Sequence, residues 1–192
     1  MGDPLPSAAD RATDLSPEDE AELIRAAQAN PGRFRPLYLQ WVTPVYKYLF
    51  SRLRDPHEAE DLTSQVFLTA CEKLPRYDHR GRFAAWLFTI ARNKARDYFR
   101  TAGRNAPLDE GEVNGSDPDL LAHAIRSDEI RRLDQIIRAL PEPDLDLVRL
   151  RFTAGLTYGD IGALLGKSNE AVRKQLERLL ARMQSQMEGD DA

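Results

Sequence analysis

LTYGDIGALLGKSNEAVRKQLERLLARM, residues 156–183, reads as two helices separated by the turn Gly166-Lys167-Ser168. Thr157 has the side chain to cap the first helix. Asp160 stands where the acid of a capping box belongs. Ile161, Leu164 and Leu165 fall on one face of that helix. Gly166 tolerates a left-handed backbone, and Ser168 caps the second helix. Val172, Leu176, Leu179 and Met183 then recur at helical spacing as a buried stripe. Asn169, Glu170, Arg173, Lys174, Glu177 and Arg178 are left facing outward. In a helix-turn-helix, the first half of the second helix enters the major groove while cations hold phosphate. Asn and Arg pair bidentately with adenine and guanine, and Glu accepts from cytosine N4. Ser168, Asn169, Glu170, Arg173, Lys174 and Arg178 are therefore the candidate duplex-contacting residues. A plain helical hairpin with a solvated face has the same outline. The two caps, the turn length and the basic tip favour DNA. Gly159 and Gly162 each weaken the first helix by about 1 kcal/mol relative to Ala, and nothing in the sequence accounts for them.

Upstream, a helix opens near Asp119, carries Ile130, Leu133, Ile136, Ile137 and Leu140, and stops at Pro141; a shorter one carries Leu145, Val148 and Leu150. Before these, residues 101–119 are rich in Gly, Asn, Pro, Asp and Ser and show no helical spacing. Residues 101–129 are taken as the linker between an N-terminal unit, 17–100, and a C-terminal unit, 130–184, with an acidic tail at 185–192. Residues 1–16 have no apolar periodicity and are predicted to be disordered. Ser16-Pro17-Glu18-Asp19 starts a helix that ends at Asn30-Pro31-Gly32. A second helix spans about 34–53, with Pro44 predicted to kink it; a third spans about 56–74 and ends at Pro75. No segment alternates as a strand does, so the fold is predicted to be all-α, two small helical domains joined by a flexible linker.

The helix FAAWLFTIARNKARDYFR, residues 83–100, begins apolar and turns basic. Trp86 or Leu87, Ile90, Ala91 and Tyr98 form its core face, while Arg92, Arg96 and Arg100 stack in a column with Asn93 and Asp97 alongside. An arginine column suits a run of phosphates. Rings nearby, including Tyr77 and Phe83, suit stacking on unpaired bases. The ordinary alternatives are core filling for the rings, preferred for Trp86 and Leu87, and a solvated face for the arginines.

The chain has 192 residues and a net charge of −4, which by itself argues against nucleic acid. Its distribution does not: residues 33–100 carry net +6 and residues 131–183 net +3, while 1–32, 101–130 and 184–192 are acidic. Local fields govern association with a polyanion. No apolar run approaches the roughly 20 residues of a membrane span. The first residues lack the basic and apolar regions of a secretory signal. A lone Cys71, read as a small packed hydrophobe, fits a reducing compartment, so a cytoplasmic protein without membrane contact is expected. His57, His79 and His123 are scattered. No metal-ligand spacing, phosphate loop or nucleophile motif accompanies them, so neither catalysis nor a metal or cofactor is expected.

Three stretches in this order resemble bacterial RNA polymerase sigma factors of the extracytoplasmic-function group. EAEDLTSQVFLTA (58–70) resembles the helix that docks on the polymerase clamp coiled coil, which assigns that contact to Asp61, Gln65 and Leu68. FAAWLFTIARNKARDYFR resembles the helix that captures the melted −10 element. With the preceding loop RYDHRGR (76–82), it assigns Tyr77, His79, Arg80, Arg92, Asn93, Arg96 and Arg100 to the flipped non-template strand. Residues 140–179 resemble the −35-binding domain. The resemblance implies an initiation factor that binds core polymerase (clamp and flap) and promoter DNA, and that an anti-sigma factor occludes. Ser64 and Gln65 stand where the family has Gln and then an acid. Ala171-Val172-Arg173-Lys174-Gln175 replaces the family's Thr-Val-Lys-Ser-Arg, so no −35 sequence carries over. The acidic residues of 109–119 form a second candidate cover for the basic faces. A conventional helix-turn-helix repressor or activator would share only the C-terminal unit.

Overall fold

The structure, a computed structural model, describes residues 16–78, 82–102 and 120–189. Expectations for His79 and Arg80, for the acidic stretch 109–119 and for the extreme termini lie outside the described residues.

Helix α1, Pro17–Ala29, starts with Ser16 and Asp19 in a reciprocal capping box. After a 3₁₀ turn at Pro31–Arg33 comes α2, Arg35–Leu53. It runs through Pro44 without interruption and turns Leu37, Trp41, Val45, Tyr48 and Leu49 inward. Its end is set by Arg54, a non-glycine residue at φ 59°. Asp55 accepts from the amides of His57 and Glu58 and so caps α3, Pro56–Lys73. Pro75 sits in the 3₁₀ turn that closes α3. Helix α4 is Phe83–Ala102. Buried alanines at 59, 70, 84, 91 and 95 keep α3 and α4 close, and Phe88 meets Trp41 and Tyr48 edge-on. Cys71 lies one residue beyond the inward-facing Ala70 and is exposed, which corrects its reading as a packed hydrophobe.

The C-terminal half comprises α5, Leu120–Arg138; α6, Glu142–Val148; a π turn, Arg149–Thr153; α7, Tyr158–Leu165; and α8, Asn169–Glu188. α5 opens beside Asp119, where the sequence places its start, so residues 120–129 of the 101–129 segment are helical. All eight helices pack without a strand among the described residues. The predicted inward residues Ile161, Val172, Leu176, Leu179 and Met183 are buried together with Leu147, Leu150 and Leu156.

The two halves meet. α7 packs on α4, and the π turn packs on α2. Buried residues from both sides form one continuous apolar cluster.

Candidate nucleic-acid interface

The α7–α8 hairpin is fixed by the contacts its sequence predicts. The Thr157 hydroxyl accepts from the Asp160 amide at 3.1 Å, and its own O–H donates to the Asp160 carboxylate at 2.6 Å. Gly166 takes φ 67°, and Ser168 Oγ accepts from the Ala171 amide at 3.1 Å. Gly162 now has a reason: a Cβ there would lie 2.6 Å from the Lys167 carbonyl oxygen. The turn folds back so tightly that the Lys167 amide donates to Gly162 O at 2.8 Å. Gly159 has no such constraint, since its Cβ would meet Thr157 Oγ1 at an ordinary 3.6 Å.

Helix α8 presents Asn169, Glu170, Arg173, Lys174 and Arg178 on an exposed face. Two of its cations are held within the helix: Lys174 pairs with Glu170 at 2.7 Å and Arg173 with Glu177 at 3.3 Å. Asp144 of α6 orients the helix from behind by accepting from Gln175 Nε2 at 3.2 Å and Arg182 Nη2 at 2.9 Å. Sequence reasoning missed Asp144, because its partners lie 31 and 38 residues away.

The α4 face is less uniform. Arg96 and Arg100 are exposed; Arg96 donates to Asn93 at 3.0 Å and Arg100 pairs with Asp97 at 3.2 Å. Arg92 departs from the predicted solvent-facing column. Its side chain is 34% exposed, and Nη2 pairs with Asp146 Oδ2 at 2.8 Å. Phe83 is buried at 1% exposure, as core filling requires. It forms the floor beneath Tyr77 and Trp86, whose half-buried rings lie 4.8 Å apart. The loop that begins at Tyr77 is anchored by Gln28 of α1. Its Nε2 donates to the carbonyls of Leu74 at 3.0 Å and Tyr77 at 2.8 Å. No local pattern marks Gln28 as an anchor.

On α3, Asp61, Gln65 and Leu68 follow helical spacing on one exposed face, with Leu68 65% exposed. Among the described residues no group of three or more His, Cys, Asp or Glu is placed to hold a metal, and no helix is long and apolar enough to cross a membrane.

The Sigma-70 region 2 family model matches residues 37–105, which hold most of α2 and all of α3 and α4, and the Sigma-70 region 4 model matches residues 130–183, which hold the second half of α5, α6, α7 and most of α8. The chain is 31% identical over 160 residues to the ECF RNA polymerase sigma factor SigD of Mycobacterium bovis, across 78% of this chain and 74% of that one. It belongs to the extracytoplasmic-function sigma factors. It is also 34% identical over 179 residues to the ECF sigma factor BldN of Streptomyces coelicolor, across 89% of its own length and 66% of BldN's. The chain thus spans slightly under two thirds of that relative. The fold is shared with CnrH, solved with the cytosolic domain of CnrY, at TM-score 0.63 and 22% identity over 88% of this chain and 97% of that one. It is shared too with RpoE, solved with the anti-sigma factor NepR from Bartonella quintana, at TM-score 0.59 and 19% identity over 81% and 96%.

In this sigma factor a polar cluster joins the region 2 unit to the region 4 unit. Asp146 of α6 is 5% exposed and receives the Tyr48 hydroxyl at 2.8 Å, Arg92 at 2.8 Å and, more weakly, Arg52 at 3.4 Å. Arg52 also bonds Tyr48 Oη at 2.9 Å and Glu142 at 2.9 Å, and Arg149 reaches Glu142 at 3.2 Å. Burial pushes the Tyr48 hydroxyl pKa well above its usual range. The Asp146 charge adds to that and Arg52 opposes it. Burial and the neighbouring Arg52 lower the Arg149 pKa against the pull of Glu142 and Asp146. For Arg52, burial works downward, but Tyr48, Asp146 and Glu142 outweigh it. Of the side chains in this cluster only Arg92 is a candidate site residue on sequence grounds, and that for a different role.

Proposed function

We propose that the chain binds core RNA polymerase and directs promoter-specific initiation. Helix α8 enters the −35 major groove with Asn169, Glu170, Arg173, Lys174 and Arg178, and Ser168 caps it beside a phosphate. Helix α4 and the loop 76–82 hold the non-template −10 strand through Tyr77, His79, Arg80, Asn93, Arg96, Arg100 and, once freed, Arg92. The α3 face of Asp61, Gln65 and Leu68 docks on the polymerase clamp. The chain performs no chemistry; the polymerase does. The observation that carries this reading is the pair of exposed basic faces set on rigid helices of one chain, α4 and α8. Two separated faces fit two promoter elements, one duplex and one unpaired. An anti-sigma partner is part of the reading. CnrH and RpoE, both at low identity, were solved in complexes, RpoE with the anti-sigma factor NepR.

Run-off transcription tests it. Purified protein, sigma-free bacterial core polymerase and a promoter library are expected to give specific transcripts. Arg96→Ala with Arg100→Ala should abolish them while sparing duplex binding. Arg173→Ala should weaken −35 recognition by about 1–3 kcal/mol if it reads a base. A gel shift on duplex DNA with no transcript from any template would replace this reading with a conventional repressor or activator.

A further inference from the structure

Arg92 has two claimants. In the proposed function it faces the −10 strand. In the structure its Nη2 is bound to a carboxylate 54 positions away in the other half of the molecule. We propose that Asp146 is an intramolecular stand-in for a DNA phosphate, docked on Arg92, Arg52 and Tyr48, so that closure of the two units and strand capture by Arg92 exclude each other. The proposal rests on the assignment of Arg92 to the −10 strand.

The geometry fits such a role. Asp146 offers two carboxylate oxygens, as a phosphate offers its anionic pair. Oδ2 takes the guanidinium of α4, and Oδ1 takes the phenol and guanidinium of α2. One side chain thus bridges α6 to both helices of the opposing unit. Asp146 is shielded from water at 5% exposure, while Arg92 is still one third exposed. Burying such a cluster costs much of what its Coulomb attraction returns. It is also incompletely satisfied: the Nε atoms of Arg92 and Arg52 are buried and have no hydrogen-bond partner among the described residues. Beside the apolar cluster that the units share, a contact with that balance favours closure when nothing competes, yet gives way to a polyanion that offers Arg92 several oxygens. The main contacts with region 2 come from α7 and the π turn, whereas α8 packs chiefly on α5, α6 and α7. The −35 face therefore stays open while part of the −10 face is covered. A closed chain would meet duplex first and strand second.

The expected size of the effect comes from population arithmetic. If the closed form holds about nine tenths of the molecules, opening it tightens strand binding by about tenfold.

The test uses the full chain. The native exposed Cys71 and an introduced Gln184→Cys carry a donor and an acceptor dye, one in each unit. Transfer between them reports closure, and anisotropy of a fluorescein-labelled single-stranded DNA of random sequence reports strand binding. Asp146→Asn keeps the shape and removes the charge. It should lower transfer and tighten DNA binding about tenfold. Arg92→Gln should lower transfer without tightening DNA, because it removes the shared group. Tyr48→Phe should give an intermediate drop in transfer. Circular dichroism confirms that each variant is folded, and if one is not, the other two carry the test. Adding DNA to the unaltered protein should itself lower transfer. Unchanged transfer and affinity in Asp146→Asn, with wild-type strand binding that Arg96→Ala and Arg100→Ala abolish, would overturn the proposal and leave the strand-capture reading standing. Lowered transfer with unchanged DNA affinity would overturn the competition. Absence of strand binding by every form would defeat the strand-capture reading itself, and the competition with it.

Discussion

Helices α4 and α8 are near twins in sequence logic, each twenty residues long with an apolar stripe and a basic face, yet the structure treats their charges differently. On α8, Lys174 and Arg173 pair one turn away within the helix and stay in solvent. On α4 the outer two arginines do the same, but Arg92 is drawn into a buried contact with the other unit. The exposed basic face of α8 is held by its own hairpin, whose α7 also packs on α4, and by Asp144 behind it. The basic face of α4 instead shares Arg92 with Asp146 of the other unit. On the closure proposed above, the first face stays available and the second is released.

The largest blow to this comparison would come from the α8 side. Gly162→Ala forces a Cβ to within 2.6 Å of the Lys167 carbonyl, a backbone atom that cannot swing away. It should cost about 1–3 kcal/mol, seen as a lowered calorimetric midpoint, and should loosen α8 without touching the α4 junction. Gly159→Ala, in the same helix, should instead gain up to about 1 kcal/mol from helix propensity, because a Cβ there makes only ordinary contacts. A matching loss at both glycines would mean that the turn is not the constraint. On the α4 side, Tyr48→Phe removes the hydroxyl that donates to Asp146 and accepts from Arg52, leaving both buried groups short of a partner. A loss of about 1–2 kcal/mol in a urea titration is expected, with no change at the α7–α8 hairpin.

What was legible in the sequence tracks the range of each contact. The Thr157–Asp160 box, the Ser16 N-cap, the Gly166 turn and the Val172–Met183 stripe are all decided within a few residues, and all stand as predicted. Gly162 was visible but unexplained, since only the returning turn shows what would collide with its side chain. For Phe83 the sequence leaves base stacking and core filling both open, and its burial beneath Tyr77 and Trp86 decides for the core. Arg92 was read correctly as basic and helical, but its partner lies beyond the linker, where periodicity carries no information. The same holds for Gln28, which grips carbonyls 46 and 49 positions away.

A smaller effect concerns acid. Glu20 on α1 is half-buried, and burial, reinforced by the Asp160 charge of α7, raises its pKa above the ordinary 4.5. The folded state thus holds that proton more tightly than the unfolded chain does. The stabilisation from this group is complete below the ordinary value and is lost as the pH rises through the raised one. At neutral pH a charged Glu20, half-buried and facing the Asp160 charge, is a burden on the fold. Glu20→Gln should therefore raise the melting temperature at pH 7, and the gain should shrink as the pH falls below 4.5. A gain that persists unchanged in acid would trace the effect to packing rather than to charge.

The smallest effect sharpens the comparison most. The Lys174–Glu170 and Arg173–Glu177 pairs are solvent-exposed on both sides. A double-mutant cycle on Lys174 and Glu170 should return a coupling of about 0.3–0.5 kcal/mol, and it should fade in molar salt, where the screening length falls to about 3 Å. The same cycle on Arg92 and Asp146 should return a larger coupling that salt weakens less, because Asp146 is buried and Arg92 only one third exposed. The contrast arises from desolvation: in water a charge pair exchanges one set of good partners for another, whereas in the junction removal of Arg92 leaves the buried Asp146 one partner short, with only Tyr48 and Arg52. Equal couplings with equal salt dependence would mean that Arg92 is as free as the cations of α8, and that α4 is no more conditional than α8.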